Sequence, residues 1–110
     1  MLRLKYKIWL DKDGKVFGEG PYRLLKGIED TGSLNTSAKE MKMSYSQAYN
    51  LIKSIEKRLG FPLVHSQAGG YGGGGSQLTD GAKELMKKYL SFRQECEEAI
   101  QSLFEKYFAT

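Results

Sequence analysis

The stretch "SLNTSAKEMKMSYSQAYNLIKSIEKRLG", residues 33–60, carries two helical patterns separated by one tight break. Ser33 suits the cap of a short first helix that buries Leu34, Ala38 and Met41. After two intervening residues, Ser44 and Gln47 form an S-x-x-Q capping box, with Met43 placed to staple onto Ala48. From there Ala48, Ile52, Ile55 and Leu59 recur at helical spacing until Gly60 closes the helix, and Pro62 prevents its continuation. A short helix, a tight break and a longer, well-capped helix have the form of a helix-turn-helix.

Upstream, "LRLKYKIWL" (2–10) alternates strictly, with Leu2, Leu4, Tyr6, Ile8 and Leu10 on one side and Arg3, Lys5, Lys7 and Trp9 on the other. Period two predicts a half-buried strand over all nine residues. "DKDG" (11–14) supplies a turn and "KVFGEG" (15–20) the returning strand; Trp9, on the charged side, is either partly shielded by a neighbouring element or a contact to a partner. Gly20-Pro21 opens a helix striped by Leu24, Leu25 and Ile28, which Gly32 ends. Downstream, "PLVHSQ" (62–67) and "SQLT" (76–79) predict two short strands. Thr79 caps a last helix reaching about Phe108. Its apolar positions Ala82, Leu85, Tyr89, Phe92, Cys96, Ala99 and Leu103 are separated alternately by three and four residues, a heptad-like stripe that Ile100, Phe104, Tyr107 and Phe108 widen.

Between the two short strands lies "AGGYGGGG" (68–75), with six of the chain's thirteen glycines. A phosphate-binding P-loop needs Lys-Ser/Thr after its last glycine, whereas Gly75 is followed by Ser76-Gln77. A dinucleotide fold needs a strand–loop–helix context that this chain is too short to supply. A flexible tether is a stronger alternative. However, the tract is flanked by strand-like residues, and a helix begins only a few residues beyond it, as expected of a hairpin tip. A hairpin directly after a helix-turn-helix is the order of a winged helix, in which a bare backbone can approach phosphates and offer them N–H groups.

Composition narrows the class. The chain has 110 residues, 40% of them hydrophobic, which is enough for one domain with a modest core. No apolar run spans a bilayer, and no signal peptide is visible at the N-terminus. One cysteine forms no internal disulfide, in keeping with a reducing cytoplasm. The net charge of +4 conceals an asymmetry: residues 1–94 hold sixteen Lys/Arg against nine Asp/Glu, whereas residues 95–110 hold Lys106 against four glutamates. A basic body with an acidic tail suits a polyanionic partner for the body. His65 has no companion ligand, so no metal or other cofactor is expected. No nucleophile–base pair or paired acids suggest an enzyme.

The string from Gly32-Ser33-Leu34 through Ala38-Lys39, Ser44-Tyr45, Ala48-Tyr49, Leu59-Gly60 and Gly69–Gly75 to Leu78-Thr79 resembles the N-terminal DNA-binding domain of the molybdate-responsive ModE regulators. More distantly it is similar to the winged helix of LysR-type regulators. The resemblance covers roughly residues 20–90. It implies a homodimeric transcription factor on a palindromic operator. Because ModE regulators bind molybdate in C-terminal domains, molybdate binding is not expected in these residues.

The expectation is therefore an α+β, mainly helical, single domain over residues 1–110. It comprises an N-terminal hairpin (1–19), a helical core with the helix-turn-helix (20–60), a Gly-rich wing (61–78) and a dimerisation helix (79–108). Candidate DNA contacts are Ser44, Tyr45, Ser46, Gln47, Tyr49, Asn50 and Lys53 on the second helix, and Ser33, Thr36, Ser37 and Lys39 on the first. Gly70, Tyr71, Gly72 and Gly73 are the candidates on the wing. The candidate dimer face is Leu85, Tyr89, Phe92, Cys96, Ala99, Ile100, Leu103, Phe104 and Tyr107, with packing on the domain's own helices and hairpin as the alternative for the first turns through Leu85 and Tyr89. A sequence-indifferent architectural DNA-binding protein and a protein-interaction adaptor of the same fold are the alternatives.

Overall fold

A computed structural model describes residues 1–66 and 75–108. Its elements run β1 (Leu10–Asp11), β2 (Lys15–Phe17), α1 (Glu19–Thr31), α2 (Leu34–Glu40), α3 (Tyr45–Leu59), β3 (Val64–Ser66), β4 (Ser76–Leu78) and α4 (Asp80–Phe108). This is the mainly helical winged helix-turn-helix architecture expected from the patterning, with a hairpin at each end of the three-helix body.

The N-terminal strand is much shorter than its alternation predicts. Only Leu10 and Asp11 pair, antiparallel to β2, with an irregular register between them. The reason lies in the returning arm. After Phe17 the chain turns through Gly18 straight into α1, so β2 is three residues long and residues 2–9 have no partner strand among the described residues. Leu2 and Tyr6, expected to face inward, are exposed. Trp9 lies across Gly18 with the Lys15 ammonium 4.1 Å from its ring centroid, which accounts for its half-shielded position.

The helix boundaries follow from local chemistry. Gly32 and Gly60 both adopt left-handed φ values, 73° and 85°, and return their N–H groups to Ile28 and Glu56. Ser33 Oγ accepts from the Thr36 amide at 3.1 Å. At the start of α3 both halves of the capping box form: Ser44 Oγ accepts from Gln47 N at 3.1 Å, and Gln47 Oε1 accepts from Ser44 N at 2.9 Å. The intervening turn is held by Met43 N donating to Ala38 O at 2.9 Å.

One apolar cluster joins all these parts. It includes Phe17 from the hairpin, Leu24, Leu25 and Ile28 from α1, Ala38 from α2, Ile52 and Ile55 from α3, Leu63 before the wing, and Ala82, Met86 and Tyr89 from α4. β3 and β4 pair antiparallel, with Val64 opposite Leu78 and Ser66 opposite Ser76. Thr79 Oγ1 closes the base of this hairpin, donating to Pro62 O at 2.7 Å and accepting from Ala82 N at 3.0 Å as the cap of α4. α4 is 29 residues long, yet its buried residues, Ala82, Met86 and Tyr89, all lie in its first third.

Candidate nucleic-acid interface

α3 divides cleanly into two faces. Ala48, Ile52 and Ile55 are buried, whereas Ser44, Tyr45, Ser46, Gln47, Tyr49, Asn50 and Lys53 are all exposed. One turn apart, the rings of Tyr45 and Tyr49 stack at 6.1 Å and 23°. The Lys53 ammonium lies 5.5 Å from the Tyr49 centroid, continuing the ladder by another turn. The first turn of α3 contains no acidic residue, so the partial positive charge of the helix N-terminus is unopposed there by its own side chains. Such a face offers a phosphate-attracting end, two flat rings, an amide and a cation.

α2 contributes less than expected. Thr36 and Lys39 are exposed, and Ser33 is partly buried and occupied as a cap. Ser37 is not available to a partner: it is buried, and its hydroxyl donates to Leu24 O at 2.7 Å. Its position explains why, since residue 37 falls on the same helical stripe as Leu34, Ala38 and Met41. The wing candidates Gly70, Tyr71, Gly72 and Gly73 lie outside the described residues.

The α4 stripe splits at the edge of the body. Tyr89 is a core residue, 2% exposed, with its ring edge-on to Phe17 at 5.1 Å. Leu85 is partly buried against the same cluster. Beyond them, Phe92, Ala99, Leu103 and Tyr107 are exposed, while Cys96, Ile100 and Phe104 are partly covered. Arg93 marks the boundary, with its guanidinium 5.4 Å from the Tyr22 ring centroid and 5.8 Å from that of Tyr89, paired with Glu19 and, at 3.7 Å, with Glu97. Desolvation there opposes the charge, but Glu19 and then Glu97 outweigh it and hold the guanidinium pKa above its ordinary value.

Three polar residues that the spacing did not single out organise the region. Glu56 reaches from α3 to the amides that lead into β3. Ser76 joins β4 to the α1–α2 turn, its amide donating to Gly32 O at 2.8 Å and its hydroxyl accepting from Leu34 N at 3.4 Å. Arg58 donates to Ser54 Oγ at 2.9 Å and Lys15 O at 3.2 Å, fastening the first hairpin to α3. Among the described residues there is no cluster of three His, Cys, Asp or Glu side chains able to hold a metal. No helix among them is long and apolar enough to cross a membrane.

A capped second helix with an open polar face, set beside a two-stranded wing, defines a winged helix-turn-helix domain of the DNA-binding type. The sequence profile of the bacterial regulatory helix-turn-helix proteins of the lysR family matches residues 22–83, and the chain belongs to that family. Within it, the resemblance to ModE regulators holds. The chain is 35% identical to the molybdenum transport protein ModE of Azotobacter vinelandii over 105 residues, covering 94% of this chain and 39% of that protein. It is 36% identical over 66 residues to the DNA-binding transcriptional dual regulator ModE of Escherichia coli K12, covering 60% of this chain and 25% of that protein. This chain therefore spans well under half the length of these relatives. In fold it is similar to the protein chain of the CbnR_DBD–DNA complex, with a TM-score of 0.58 at 15% identity over 76% of this chain and 94% of that one.

Proposed function

We propose that this protein is a sequence-specific regulator of transcription that binds double-stranded DNA as a homodimer on a palindromic operator in the cytoplasm, without catalytic activity. The observation that carries this reading is the uncovered α3 face from Ser44 to Lys53, with its acid-free N-terminus. In the major groove, Asn50 would read an adenine through its N6/N7 edge, Tyr45 and Tyr49 would meet thymine methyl groups or phosphates, and Lys53 would reach a phosphate or guanine. Ser46 and the capping pair Ser44 and Gln47 would lie near the backbone, with Thr36 and Lys39 of α2 beside them. The glycine tract around Tyr71 would take the neighbouring phosphates.

Asn50→Ala is expected to relax preference at one base pair by roughly 1–3 kcal/mol, a loss confined to the cognate site. Lys53→Ala should instead weaken binding evenly across sequences and flatten its salt dependence. Titrations of both variants on a selected operator and on scrambled duplex check this. An equal loss on both duplexes for Asn50→Ala would remove that residue from base reading. A parent protein indifferent to sequence would move the reading to an architectural DNA-binding protein.

The exposed outer stripe of α4 supports the dimer. Phe92, Leu103 and Tyr107 are 46%, 56% and 67% exposed on one long helix, and a second copy would cover them. Replacing Phe92 and Leu103 together by glutamate should yield a monomer in sedimentation. It should also weaken binding to a two-half-site operator by about a hundredfold or more, since the second contact is no longer intramolecular. A dimer that survives this substitution would place the interface elsewhere.

A further inference from the structure

The carboxylate of Glu56 does three things at once. Its Oε2 accepts from the amides of Leu63 at 2.6 Å and Val64 at 3.2 Å, the residue before the first wing strand and the first residue of that strand. Its Oε1 lies 3.3 Å from the ammonium of Lys53, one turn earlier on the exposed face of α3. The carboxylate side is enclosed, with the Glu56 side chain 11% exposed, whereas that of Lys53 is 53% exposed. One enclosed anion is therefore shared between the backbone that starts the wing and the cation at the end of the Tyr45–Tyr49–Lys53 ladder.

We propose that Glu56 is a positioning residue that locks the wing to α3 and, by partly neutralising Lys53 in the free protein, lowers affinity for DNA of any sequence, so that selectivity rises. The proposal rests on the reading of the α3 face as the DNA-binding surface. The physical basis is twofold. The chain reverses at Gly60 and leaves the Leu63 and Val64 amides pointing back at α3; an ionised acceptor satisfies both, and such bonds are stronger than neutral ones. Sequence-independent affinity, meanwhile, comes from cations that displace counterions from phosphates. A lysine already paired with a carboxylate releases fewer counterions when it meets a phosphate, whereas the hydrogen bonds that read bases are unaffected. Ser76 supplies a second tether, from β4 to the α1–α2 turn, so both strands of the wing are fastened to the helices by polar contacts.

Two substitutions separate the roles. Glu56→Gln keeps an acceptor for the amides but loses the charge facing Lys53; Glu56→Ala loses both. Amide hydrogen exchange in the free protein tests the lock. Exchange at Leu63 and Val64 should accelerate about tenfold or more in Glu56→Ala and only a few-fold in Glu56→Gln, with Ile52 and Ile55 unchanged. Titration of the full chain against random-sequence duplex tests the neutralisation. In Glu56→Gln the slope of log affinity against log salt should steepen by up to about 0.9, the part of one phosphate contact that the pairing withholds, with tighter binding at low salt. In a Lys53→Met background the same change should leave the slope where it was.

An unchanged slope in Glu56→Gln, or the same steepening without Lys53, would overturn the proposal, as would unaltered exchange at Leu63 and Val64 in Glu56→Ala. A parent protein that binds no duplex would instead end the reading of the α3 face, and the exchange result would then decide the lock by itself.

Discussion

Phe17→Ala should destabilise the domain by about 3–5 kcal/mol, a large share of the total for a chain of this size. Phe17 is completely buried, and it is the one large side chain that the short β2 strand sends into the core. Its ring meets the edge of Tyr89, so truncation removes the contact that seats α4 as well as the apolar area of the ring itself. Tyr22 also packs near Tyr89, at 5.7 Å, and cannot swing in to fill the space without leaving Arg93. Urea unfolding of the variant should show an earlier midpoint with a similar slope. A loss below about 1 kcal/mol would mean that the site collapses freely and that Phe17 is not the keystone of this corner.

Gly27→Ala should cost about 2–4 kcal/mol, although alanine favours helix over glycine by about 1 kcal/mol. The reason is steric. A methyl group on Gly27 would lie 2.1 Å from Ser37 Oγ and 2.8 Å from Ser37 Cβ, where α1 and α2 cross. To make room, the Ser37 hydroxyl must leave Leu24 O, or the two helices must separate. Separation would shift α2, and with it the turn that orients α3. Combining Gly27→Ala with Ser37→Gly should recover more stability than combining it with Ser37→Ala, because only the glycine removes the Cβ as well as the hydroxyl. Equal recovery in thermal melts would show that the hydroxyl alone is the obstacle.

The helix-turn-helix was legible because its boundaries are set by short-range chemistry: the Ser44–Gln47 box, the Gly32 and Gly60 caps and the apolar spacing of Ala48, Ile52 and Ile55 all act within a turn or two. The polar face of α3 followed from the same periodicity. Alternation in residues 2–10 could not reveal how much of the strand would be paired, because that depends on where the partner strand ends, which Gly18 and Glu19 decide. The heptad-like spacing of α4 is the same whether a residue packs on its own domain or projects beyond it, so spacing alone does not separate Tyr89 from Phe92. Ser37 was readable from its place on the α2 stripe, but a hydroxyl beside a turn suggests a contact to DNA as readily as an internal hydrogen bond. Glu56 was beyond reach, since its partners are backbone amides brought into range only after the chain reverses at Gly60.

The seating of α4 at one end alone has a mechanical consequence. From Tyr89 to Phe108 the helix extends about 28 Å past its last buried side chain, so a tilt of only about 5° at that point carries the tip about 2.5 Å. Phe17 and Arg93 thus act as the fulcrum of a long lever. Angular play that would pass unnoticed within the helical body is magnified at the far end, and rigidity at these two residues governs how accurately anything held there is aimed.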